Sequence, residues 1–155
     1  MSFNIYQLDT LDYDEAEPIL EQYINSVIQE FVASPEGKAY VKQHPVGGQW
    51  IGQFIDFGYL YGEFTLPSMS KGDVQVLMEQ IFPRKLTLLD PAGLEDAIPE
   101  LLVFWEFLQR QYKFRSAGAI IKYLKTITNK FPEWMTDPTR GGFAKQFILS
   151  GQAAG

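Results

Sequence analysis

The sequence contains no cysteine. Disulfides, thiolate metal sites and cysteine nucleophiles are therefore excluded together, and the lack of cysteine accords with a reducing cytoplasm, the compartment expected for this chain. Histidine is almost as scarce, since His44 is the only one. Neither a Glu-x-x-His pair nor a G-x-S-x-G elbow occurs, so the usual helical-bundle metal centre and the hydrolase nucleophile have no sequence signature here. Long apolar runs are missing as well. The longest, Ile98 to Leu108, is broken by Pro99, Glu100 and Glu106, and it falls short of the ~20 apolar residues that span a bilayer. The first 15 residues carry no Lys or Arg, so no signal peptide is expected.

What is present is material for a core. The chain has 155 residues, 46% of them hydrophobic and 15% aromatic, which sets disorder of the whole chain aside. That length suits a single domain over 1–155. Within it, residues 1–13 are expected to be an acidic arm with Phe3, Ile5 and Leu8 as anchors, and residues 152–155 a frayed end. The net charge of −6 is unevenly placed: residues 1–36 hold eight acids and no base, whereas residues 110–155 hold eight bases and two acids. The acidic total argues against a general nucleic-acid binder. The asymmetry favours packing of the first long helix near the C-terminal third, where opposite charges meet.

Apolar spacing and capping residues predict an all-α fold, an orthogonal bundle of about six or seven helices with one or two short extended connectors. Asp14 reads as an N-cap for a helix to about Ala33 that carries Leu20, Tyr23, Ile24, Val27, Ile28 and Phe31 at spacings of three and four. Ser34-Pro35 starts a short helix through Val41. From Gln49 to about Glu63 large apolar residues are so dense that a strand and a helix both fit; the length of the run favours a helix, weakened by Gly52, Gly58 and Gly62. Ser70 caps Val74–Phe82, which Pro83 ends, and Arg84 to Leu89 reads as an extended connector. Asp90-Pro91 and Pro99 open the stretch through Trp105 to Tyr112. Ser116 caps Ala117–Asn129, Phe131-Pro132 breaks that helix, and Asp137-Pro138 opens a last one with Phe143, Phe147 and Ile148.

From about Trp50 onward the chain resembles a group of uncharacterised bacterial proteins of cyanobacterial and actinobacterial type. The residues that carry this are Tyr61-Gly62, Phe82-Pro83-Arg84-Lys85, Ile98-Pro99-Glu100-Leu101 leading to Phe104 and Phe107, and Asp137-Pro138 followed by Gly142, Ala144, Lys145 and Phe147. The resemblance implies a bacterial, cytoplasmic origin. It brings no activity and no catalytic residue.

Candidate sites come from the residues themselves. Trp50, Phe54, Asp56, Tyr59, Tyr61 and Glu63 could line an aromatic pocket within residues 48–64, with the glycines opening a groove. Phe57 and Phe64 belong to the same aromatic set, whose more ordinary role is core packing. Arg84 and Lys85, with Lys145, are candidate anion-binding residues. His44, placed at a helix end before Pro45, reads as a surface or capping residue rather than a metal ligand. No catalytic set, metal site or cofactor is assigned. The leading expectation is a non-enzymatic, partner-binding or regulatory domain whose partner is another protein or a second copy, away from membrane and nucleic acid. The alternative is a small-molecule binder or enzyme built on the aromatic pocket. With no metal-ligand motif in the chain, a strong chelator should leave the melting temperature unchanged; a drop of several degrees would reveal a structural ion.

Overall fold

A computed structural model of the chain describes residues 3–45, 48–86 and 91–137, with the backbone alone at 91 and 92. The described residues form an all-α bundle without strands, and taken as continuous rods they make seven helices. Local signals explain most of the starts. Asp12 and Glu15 form a capping box, with the Glu15 N–H donating to Asp12 Oδ1 at 2.9 Å, and open α1 (Tyr13–Ala16). The expected cap, Asp14, lies inside that first turn instead. Tyr13 stacks on Tyr59 at 5.9 Å and Ala16 is fully buried, so packing draws the helix start back to Asp12. The rod passes through a 3-10 turn, Glu17–Ile19, around Pro18 and runs on as α2 (Leu20–Ala33). Ser34 then caps α3 (Pro35–Gln43) by accepting the Gly37 N–H at 3.0 Å. A Cβ on Gly37 would lie 1.8 Å from the Phe31 carbonyl oxygen, so only glycine permits the tight corner between α2 and α3.

The ambiguous aromatic run is helical, α4 (Gln49–Gly62). Ser70 and Asp73 make a second capping box and begin α5 (Lys71–Val76). Pro83 does not end this rod. A wider π turn, Leu77–Ile81, precedes it, with the Phe82 N–H reaching back to Leu77, and the helix resumes as α6 (Phe82–Lys85). A proline clashes with the carbonyl four residues back, and the widened turn takes up that clash. Arg84 and Lys85 are thus helical rather than extended; Leu86 is extended, and 87–89 lie outside the described residues. A 3-10 turn, Pro91–Asp96, leads into α7 (Ala97–Tyr112). Ser116 precedes α8 (Ala117–Thr126) without a side-chain cap. Phe131-Pro132 opens α9 (Phe131–Thr136), because a proline in the first turn removes an N–H that has no helical partner anyway. The helix expected from Asp137-Pro138 lies outside the described residues.

α7 is the central element, packed against α3, α4 and α8. Phe31 meets Phe104 and Phe107 edge-to-face, Phe54 meets Trp105 in the same manner, and Trp50, Phe82 and Phe131 form a second aromatic cluster. The N-terminal segment is docked rather than free: Ile5 and Leu8 are buried, and the Tyr23 hydroxyl donates to the Ile5 carbonyl at 2.7 Å. Opposite charges meet at the end of α7, where Arg110 holds Glu36 through two nitrogens at 2.7 and 3.0 Å and the Tyr112 hydroxyl donates to Glu30. The Arg110 guanidinium lowers the pKa of the Glu36 carboxyl. Trp105 is fully buried, and its indole N–H is the one buried side-chain donor without a partner among the described residues. Trp105→Ala should cost about 3–5 kcal/mol in denaturant melts, the range for deleting a large buried aromatic. Trp105→Phe should cost less, since it keeps a ring and removes the unpaired N–H. Equal losses would assign that N–H a partner.

Candidate functional site

Two features stand out where α2, α4 and α7 meet. The first is Glu100, in the first turn of α7 and only 2% exposed. Its Oε1 accepts from the Tyr40 hydroxyl at 3.1 Å and the Gly48 N–H at 2.9 Å, and its Oε2 accepts from the Ile51 N–H at 2.8 Å. α4 needs this help. It begins after Gly48, whose φ of 110° favours glycine and which has no side chain to cap with. A carboxylate from another helix satisfies two of the N–H groups at this start, those of Gly48 and Ile51, and meets the positive end of the helix dipole. Burial, and then the Glu100 charge, push the Tyr40 hydroxyl pKa up. The Tyr40 ring stacks on His44 at 4.4 Å, and His44 Nδ1 lies 3.9 Å from Asp96. His44 is the C-cap of α3, as its sequence position implied. Both Glu100 oxygens are committed to the fold, so this cluster is structural.

The second feature is an open groove of about 990 Å³ between α2 and α4. Leu20, Ile24, Ile28 and Leu60 provide its apolar walls, and Gly48 and Gly52 leave its α4 side low. A Cβ at Gly52 would find only ordinary contacts, with Ile24 at 3.7 Å and Ile28 at 3.9 Å. Among the described residues the lining includes three carboxylates (Glu17, Glu21 and Asp56), three amides (Asn25, Gln49 and Gln53) and no base. Asp56 is half-buried with no hydrogen-bond or ion-pair partner among the described residues, and burial alone raises its pKa. A second opening of about 690 Å³, beside Tyr23, is lined largely by amides, among them Gln7, Gln22 and Gln29.

The six pocket candidates are spread over different faces of α4. Trp50, Phe54 and Tyr59 are buried, and Trp50 donates from its indole to the Gly93 carbonyl at 3.1 Å. Asp56 alone of the six lines the groove. Tyr61 is half exposed, with Lys85 Nζ 5.4 Å from its ring centroid. Glu63 ends α4 in a left-handed conformation and shares a small opening with Tyr59, Tyr13, Asp9 and Asp12. Arg84 is exposed beside Lys85, and Lys145 lies outside the described residues. No group of metal-ligating side chains occurs among the described residues. Sequence reasoning missed Glu100, which reads as one of two acids interrupting an apolar run, and missed the α2 half of the groove. The i, i+4 row Leu20, Ile24, Ile28 beside Glu17 and Glu21 was the available signal.

Comparison with protein-family models, curated proteins and solved structures finds no match to this chain.

Glu100→Gln should destabilise the fold by about 2–4 kcal/mol in urea, because an NH2 then faces a buried N–H and the charged hydrogen bonds are lost. Asp56→Asn should act in the opposite direction. A carboxyl whose folded pKa is raised favours folding only below its unfolded value, and that contribution is lost as pH rises through the folded value. At pH 7 the charged form therefore weighs on the fold, and the amide should raise the melting temperature. The gain should vanish below about pH 4, where the wild-type group is protonated in both states. A gain that persists at pH 3 would assign the effect to packing instead.

Proposed function

We propose that this protein is a non-enzymatic, partner-binding or regulatory helical domain and that the groove between α2 and α4 is its contact surface. One observation carries this reading: the same groove is lined by half-buried isoleucines and by a desolvated aspartate that has no partner among the described residues. Isolated exposed apolar residues are ordinary, but a contiguous apolar trough rimmed by polar groups is how interaction sites present themselves. The aromatic residues of 48–64 support the same choice over the pocket-based alternative, since Trp50, Phe54 and Tyr59 contribute to the core and, of the six pocket candidates, Asp56 alone faces the groove. Among the described residues no helix is long and apolar enough to cross a membrane, which is compatible with action away from the bilayer. A bacterial, cytoplasmic setting remains part of the proposal and rests on the resemblance and the cysteine-free composition.

The experiment is site-directed photo-crosslinking in cells. A photoreactive residue at Gln53 should give one discrete adduct that Gly52→Leu abolishes, whereas the same residue at Lys122 on α8 should give none of it. A small-molecule site would instead show no protein adduct, together with a tryptophan fluorescence change on ligand addition. Loss of the Gln53 adduct's dependence on Gly52 would remove the groove as the contact surface.

A further inference from the structure

The chemistry of the groove specifies its occupant, granted the partner-binding reading above. Gly48 lies against Ile28, and Gly52 against Ile24 and Ile28. Advancing along α4 thus means retreating along α2, so the two helices run antiparallel. The start of α2, with Glu17 in the turn before it, accordingly lies beside the Asp56–Leu60 end of α4. All three lining carboxylates belong to that end, while the opposite end holds Gly48, Gln49 and Ile28. The groove is polar along its length: acidic at one end, apolar and amide-lined at the other.

We propose that the groove takes a single amphipathic helix from another protein, about three turns long, with Lys or Arg residues clustered at one end of its apolar stripe. Three observations support this. Leu20, Ile24 and Ile28 form an i, i+4 ridge beside a side where Gly52 has no side chain, and ridges at that spacing are what a third helix packs against. On this rod the groove lining runs from Glu17, in the 3-10 turn, to Ile28 of α2, about 16 Å at 1.5 Å per residue, the length of three turns. Finally, Glu17, Glu21 and Asp56 have no base beside them among the described residues that line the groove. Asp56 bears a desolvation cost that no group among the described residues relieves, and an incoming ammonium or guanidinium would relieve it. Binding by a helix laid into an apolar trough, with charge fixing its direction, follows a general mode of peptide recognition.

The test uses the full chain, labelled with nitrogen-15, and three synthetic 14-residue helical peptides. The first has a leucine stripe with three lysines at one end, the second has glutamates in place of the lysines, and the third has the lysines with the stripe scrambled. The lysine peptide should shift the amide resonances of Ile24, Gly52 and Asp56, and its affinity should fall as salt is raised. Asp56→Asn should weaken it about tenfold while leaving the fold intact. Gly52→Leu should abolish it; Asn25→Trp, at an exposed position on the groove wall, fills the same space if the first variant fails to fold. Equal binding of the lysine and glutamate peptides in the groove would overturn the cationic partner while leaving a partner-binding groove in place. Groove resonances unmoved by any of the three peptides would overturn the helical occupant. If Gly52→Leu shifted resonances of residues 138–155, or dissociated a concentration-dependent dimer, the occupant would be the chain's own tail or a second copy, and the proposal would fall. Failure of the Gln53 crosslink, by contrast, would remove the underlying reading itself.

Discussion

The Glu100 carboxylate is the point through which the bundle is tied together. It sits on α7, accepts the hydroxyl of Tyr40 from α3, and receives two N–H groups from the start of α4. A buried carboxylate is tolerable only when its lone pairs are filled, because desolvating a charge without partners costs far more than a typical hydrogen bond returns. The geometry that fills them leaves little freedom. Gly48 must adopt a positive φ, α4 must begin within reach of the first turn of α7, and α3 must present Tyr40 beside it. Specificity of arrangement, more than net stability, is what such a group supplies, by the general argument for buried polar networks.

With its start fixed in this way, α4 has two contrasting sides. Trp50, Ile51, Phe54 and Ile55 go into the core against α7 and the neighbouring aromatic clusters. Gly48, Gly52 and Asp56 face α2 and leave the groove open. The same helix therefore supports the fold and presents the candidate surface, and the two roles pull against each other at Asp56. A charge kept half-buried without a partner weakens the folded state, the pattern expected where a residue serves binding rather than stability.

Elsewhere polar groups near the core boundary are paired. Tyr112 donates to Glu30 and Tyr123 to Glu79, and in both burial raises the hydroxyl's pKa before the carboxylate adds to it. These tyrosines place an apolar ring inward and a satisfied hydroxyl at the rim. They tie α7 to α2 and α8 to the π turn.

Local signals alone determined the helical class and most of the starting points: Ser34 before Pro35, Ser70 with Asp73, and the spacing that buries Leu20, Tyr23, Val27 and Phe31. Those features act within one or two turns, so they can be read along the chain. The same reasoning placed Trp105 in the core, and the structure has it fully buried. It failed where a local rule was outweighed by packing. Asp12 rather than Asp14 caps the first helix because Tyr13 stacks on Tyr59, and the rod through Pro83 continues because a π turn takes up the clash. Only the tertiary structure decided the role of Glu100, since the two N–H groups it serves lie 49 and 52 residues away, and in its own helix it is an acid interrupting an apolar run. The groove is likewise tertiary. The glycines and Asp56 could be read along the chain, but the antiparallel packing that sets them against Leu20, Ile24 and Ile28, and leaves Asp56 without a partner among the described residues, has no local signature.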